Sequence, residues 1–129
     1  MKQFRNPTSI HRPVAQYTHQ IEVSADERIL FLSGQVGIDA DGQLPDSAGE
    51  QLALALDNLM ANLHAARMDV LDLTKLTLYL VPSELDAAAR RTILSAKLGE
   101  HAPCMTLIFV VALATPQILV EIDAFAASS

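Results

Sequence analysis

Between Lys75 and Leu80 the chain alternates without a slip. Leu76, Leu78 and Leu80 share one face, and Lys75, Thr77 and Tyr79 share the other, which is the two-residue period of a half-buried strand. LTKLTLYLV (73–81) is therefore predicted as a strand, ended by Pro82. Upstream the period changes. Leu52, Leu56, Leu59 and Leu63 recur at helical spacing, behind a Ser47-Ala48-Gly49-Glu50 stretch of capping-box form. A helix is predicted over about 48–67, with Asn58, Asn62 and Arg67 off its apolar stripe. A second helix is expected from a Ser83 cap to Leu98, with Gly99 as its stop.

The remaining segments are shorter. Tyr17–Val23 reads as extended, SADER (24–28) as a turn, and ILFLSGQVGI (29–38) as a strand kinked at Ser33-Gly34. DADG (39–42) reads as a tight turn, because Asp-Gly supplies the positive φ such turns need. Two apolar strands, 105–113 and 118–126, follow around the break at Thr115-Pro116. Residues 1–15 hold two prolines and no period, and are expected to form a surface arm.

The predicted order is strand, strand, helix, strand, helix, strand, strand. Two strand-helix-strand crossovers make the sheet mixed and put both helices on one face, an α+β fold in a single domain over 1–129. The other face then needs a cover. In 105–113, Met105, Leu107, Phe109 and Val111 lie on one side and Thr106, Ile108 and Val110 on the other, so both sides are apolar. Further copies of the chain are the expected cover, which implies a homo-oligomer.

Half the residues are apolar and 19% charged, a balance that folds rather than stays disordered. The net charge is −6, and the nine basic residues are scattered with Arg90-Arg91 the one adjacent pair. Nucleic acid is not an expected partner, since its backbone demands clustered cations. Cys104 is the only cysteine, and an odd thiol suits a reducing compartment. MKQFRNPTSIHRP lacks the apolar core of a signal peptide, and no apolar run is long enough to span a bilayer. A cytoplasmic protein with no membrane partner is expected. Four scattered histidines, with no i,i+4 pair, give no metal motif, and the spacing of Asp39 and Asp41 does not match a calcium loop. No phosphate-loop, dinucleotide or nucleophile-elbow motif occurs.

Candidate chemistry is confined to a few positions. Glu121 stands between Val120 and Ile122. It is either a carboxylate at a sheet edge facing water or one in a partly dry pocket between subunits, suited to proton transfer. Asp123 shares its face and admits the same two readings. Cys104, after Pro103, reads as a small buried filler in preference to a nucleophile. Ser33-Gly34 is either a simple kink or a place where backbone N–H groups face a ligand.

YTHQIEV, ILFLSGQVGID, KLTLYLV, LGEHAPCMTL and LVEIDAFA together resemble, in order, segments of the Rid family, also called YjgF/YER057c/UK114. The resemblance runs from about Tyr17 to Ala126. It implies a chorismate-mutase-like fold, three copies around a barrel-like core, and sites in clefts between subunits. The best-known members hydrolyse enamines or imines such as 2-aminoacrylate to a keto acid and ammonia, with no metal or cofactor. There an Arg after the Pro grips the substrate carboxylate, a Glu on the last strand handles water, and a Tyr and a Ser frame the pocket.

Carried over, the resemblance makes Glu121 the catalytic residue and Tyr17, Ser33 and Gly34 substrate-binding. The Arg is absent, and Met105 stands in its place, with Cys104 beside it as part of an apolar wall. Losing such a charge-assisted contact would cost a carboxylate ligand on the order of 2–5 kcal/mol. A Rid-like hydrolase of some other small enamine or imine is therefore expected, and a non-catalytic ligand-binding or chaperone-like trimer is the alternative. Whether Arg12 or Arg5 replaces the missing guanidinium stays open at this level. Ribonuclease activity, attached to some relatives, fits poorly with the acidic charge.

Overall fold

The computed structural model describes residues 1–129. Its elements in chain order are β1 (Lys2–Arg5), β2 (Gln20–Val23), β3 (Arg28–Val36), α1 (Ala48–Ala65), β4 (Leu73–Leu80), α2 (Ala87–Leu98), β5 (Cys104–Phe109) and β6 (Val120–Ser128). The main sheet has the order β3-β6-β4-β5. β6 is antiparallel to both β3 and β4, whereas β4 and β5 are parallel. β3 and β4 therefore point the same way with β6 inserted between them. Both β3-α1-β4 and β4-α2-β5 are crossovers, and a common hand places α1 and α2 on the same face. The expected α+β architecture, a mixed sheet with two helices on one side, is the one observed.

The core lies between that face and the helices. Leu52, Leu56, Leu59 and Leu63 of α1 are fully buried against Leu76, Leu78, Val120 and Ile122 of the sheet. Full burial of such a side chain is worth roughly 1.5–3 kcal/mol, so this stripe is the main source of stability. Ser47 caps α1 by accepting from Glu50 N at 3.2 Å. Gln51, the one buried amide of the helix, donates to the carbonyls of Pro45 and Gln117 and accepts from Leu119 N, all within 2.8–2.9 Å. That side chain ties the loop before β6 onto α1.

Several boundaries differ from the sequence expectation. The N-terminal arm is not unstructured, because Lys2–Arg5 pairs antiparallel with β2 in a small second sheet. Arg5 holds it by donating to Gln20 at 3.0 Å and Glu22 at 2.5 Å, and the N-terminal amine pairs with Glu27. α1 stops at Ala65, short of residue 67. Arg67 takes a left-handed φ of 59°, and Met68 N reaches back to Leu63 O at 2.8 Å. α2 is capped by Asp86, which accepts from Ala89 N at 2.7 Å, while Ser83 bonds Leu85 N in the turn before it. Gly99, with φ 61°, ends the helix as its glycine identity suggests. β5 ends at Phe109 and not at 113. Its partner β4 stops at Leu80 ahead of Pro82, and beyond the Val110 N to Leu80 O bond no ladder is left to join.

Candidate active site

The sheet face turned away from the helices carries the two acids of β6. Along β6, Val120, Ile122, Ala124 and Ala126 are buried in the core, so Glu121, Asp123 and Phe125 project from the open face. β4 adds Lys75, Thr77 and Tyr79, and β5 adds Cys104, Thr106 and Ile108, by the register that pairs Tyr79 with Glu121 on one side and Ile108 on the other. Phe31 of β3 stacks edge-to-face on Phe125 at 5.2 Å and remains 73% exposed.

Glu121 lies across Gly34. A Cβ added at Gly34 would fall 2.7 Å from the Glu121 Cδ and 3.0 Å from its Cγ, closer than real contacts permit. Only glycine leaves room for that carboxylate. The ladder between β3 and β6 slips between Leu32 and Gln35, so the kink expected at Ser33-Gly34 is an interruption that opens β3 opposite Glu121. Ser33 is exposed there, its carbonyl accepting from Gln35 Nε2 at 2.9 Å.

The two acids of β6 meet different surroundings. Asp123 accepts a hydrogen bond from Tyr79 Oη at 3.1 Å. That bond, with the negative charge of Asp123 and more weakly of Glu121, pushes the Tyr79 phenol above its ordinary range. Glu121 has no such protein donor and belongs to none of the ion pairs. It is half-buried, with both oxygens free for water or ligand.

The other expected site residues lie elsewhere in the chain. Cys104 shares the open face, but β6 residues paired through β4 place it opposite Phe125, four residues from Glu121, or about 13 Å along the sheet. Burial pushes its thiol up, against a smaller lowering by Lys75, which suits a filler and not a thiolate. Tyr17 precedes β2 near the start of β5, where Thr18 bonds Pro103 O and Ala102 O. Its hydroxyl accepts from Val14 N at 3.3 Å and its ring meets His19 at 5.3 Å. His19 in turn stacks on His11 at 4.9 Å, a grouping invisible in their spacing. Met105 alternates with Cys104 and faces the helix side, in a cleft with α2. One chain thus unites Glu121, Gly34 and Ser33, and leaves Tyr17, Cys104 and Met105 apart from them. Tyr79 was missed by the sequence reading, although its place on the polar face of β4 was a usable signal.

A protein-family model described as "Endoribonuclease L-PSP" matches residues 9–128, nearly the whole chain. The chain belongs to that family. Among solved structures, a Rid-family protein of unknown function from Yersinia pestis is 30% identical, covers 98% of each chain and superposes with a TM-score of 0.87. The TdcF protein of Escherichia coli, solved with bound serine, is 26% identical over 91% of each chain, at a TM-score of 0.71. A RutC family protein of Buchnera aphidicola is 28% identical over 75 residues, which span 57% of this chain and 56% of that protein. The Rid resemblance read from the five segments is thereby borne out as family membership. No helix of this Rid-family chain is long and apolar enough to cross a membrane.

Proposed function

We propose that this Rid-family chain hydrolyses the C=N bond of a small enamine-derived or imine metabolite, with Glu121 as the group that activates water. Glu121 takes a proton from water as the oxygen adds to the imine carbon, and passes that proton to the nitrogen to give a neutral carbinolamine. Glu121 then takes the hydroxyl proton as the carbonyl forms and hands it to the departing nitrogen, which leaves as ammonia. Water and imine go in, carbonyl and ammonia come out, and no metal or cofactor is required. The observation that carries this reading is the Glu121 carboxylate, held across Gly34 with no protein donor of its own. Such a group is free to hold a water molecule and take its proton.

In this reading the open face is closed by further copies, as a trimer, which would bring Tyr17 and Cys104 of a neighbouring chain toward the Glu121, Gly34 and Ser33 of this one. Exposed Ile29, Phe31, Ile108 and Phe125 on that face support such a cover. The small serine held by the related TdcF protein supports a small-molecule ligand.

A second reading, a non-catalytic ligand-binding or chaperone-like trimer, draws on Met105, which cannot hold a carboxylate as an arginine does. Thermal-shift screening paired with ammonia release separates the two. Stabilising ligands whose imine forms release ammonia support hydrolysis. Stabilisation with no turnover above a Glu121→Ala control supports binding alone.

A further inference from the structure

The cleft between α2 and β5 contains two guanidiniums that no acid engages. Leu94, Leu98, Met105 and Leu107 floor a cavity of about 140 Å³, and Arg90 and Arg91 stand at its wall. A cavity near ~150 Å³ accepts a body the size of a benzene ring.

Its polar groups divide sharply into engaged and free. Gln16, on the side formed by the N-terminal segment, donates to the carbonyls of Gly99 at 2.6 Å and His101 at 2.8 Å, and its oxygen accepts from Ser95 Oγ at 3.0 Å. Gln16 and Ser95 therefore satisfy each other and the backbone. The ion pairs of the chain join Met1 to Glu27, Lys2 to Asp72, Arg5 to Glu22 and Lys97 to Asp57, and none includes Arg90 or Arg91. Arg90 lies 5.9 Å over the Phe109 ring, a contact that orients a guanidinium without using its N–H donors. The unspent capacity of the cleft is thus cationic and donor-only, above an apolar floor.

We propose that this cleft binds a small monocarboxylate with a branched or aromatic hydrocarbon body, its carboxylate taken by Arg90 and Arg91. The planar fork of arginine matches a carboxylate edge, and Met105, Leu107 and Leu94 take the hydrocarbon. The expectation of a substrate without a carboxylate rested on position 105 alone. Here α2 supplies the charge from beside that position, and Arg12 and Arg5 are not needed. As a statement of substrate class this rests on the hydrolase reading above, whereas the anion binding itself does not require turnover.

The test is calorimetric titration of the full chain with 4-methyl-2-oxopentanoate. Pyruvate lacks the hydrocarbon body and 4-methyl-2-pentanone lacks the carboxylate, and both are expected to bind at least about tenfold more weakly. Arg90→Gln/Arg91→Gln is expected to weaken the oxo acid by at least about tenfold, as for a lost charge-assisted contact. Arg90→Lys/Arg91→Lys, which keeps the charge, recovers part of it. Glu121→Gln should bind the oxo acid as wild type does while losing ammonia release. Retained ammonia release in that variant removes Glu121 from the chemistry, no wild-type release above background sinks the hydrolase reading, and either result leaves this one standing. Equal affinity for ketone and oxo acid, no loss in the double glutamine variant, or no wild-type binding at millimolar concentration overturns the carboxylate cleft.

Discussion

Glu121 and Asp123 are two residues apart on one strand face, and their neighbours give them different surroundings. Asp123 accepts a hydrogen bond from Tyr79 of β4, and Glu121 has no such partner. That bond is measurable. The protein has two tyrosines and no tryptophan, so absorbance titration of the phenols is clean. One phenol is expected to ionise above the ordinary range near 10, and Asp123→Asn should bring it back down. The sign for stability follows from a folded-state pKa raised above the unfolded one. The contribution is fully present below the unfolded value and is lost as pH climbs through the folded one, a window wholly on the alkaline side. A second expectation concerns Gly34. Gly34→Ala puts a methyl where the Glu121 carboxylate lies and should cut turnover on the order of 10²-fold, the penalty for displacing a reacting group by about 1 Å, with little change in thermal stability. Wild-type turnover in that variant would show that the position of Glu121 over Gly34 is incidental. Glu121 itself was visible in the sequence as an acid in an apolar run. The reason for Gly34 was not, because it depends on which strand lies beside β3.

The elements were legible wherever one periodicity held for two turns or more. The leucines of α1 and the alternation of β4 state their own burial, and both are buried as read. Legibility failed where an element exists only through its partner. β1 has four residues and no apolar period, and is a strand because β2 offers it a ladder. β5 carries apolar residues past Phe109 but ends where β4 ends. The end of α1 was missed for a different reason, since an arginine occupies the left-handed position where glycine usually stops a helix. Arg67→Gly is therefore expected to stabilise the fold by about 0.5–1 kcal/mol in urea denaturation, the relief of a strained φ less the added freedom of the unfolded chain. A destabilised variant would mean that the Arg67 side chain contributes more than its backbone costs.

At the scale of the whole molecule, the helices cover one sheet face and leave the other showing Phe31, Phe125, Ile29 and Ile108. The two apolar sides of 105–113 were legible in the sequence, although the strand ends at Phe109. If copies close this face as proposed, Phe31→Glu/Phe125→Glu, which places charges on the stacked pair, is expected to lower the light-scattering mass from that of a trimer to that of a monomer; an unchanged mass would place the contact between copies on another surface. The separation of Met105 from Glu121 within one chain was not legible, because alternation along β5 does not say which of its sides α2 covers.

The proposed hydrolysis depends most on Glu121 acting on water at a C=N bond. The direct measurement is ammonia release from 2-imino acids generated in solution, comparing wild type with Glu121→Gln at matched light-scattering mass. A fall of about 10²–10⁴-fold in the variant, as for loss of a general acid-base group, is the expected result. Equal rates in the two proteins, both above the uncatalysed background, would contradict it.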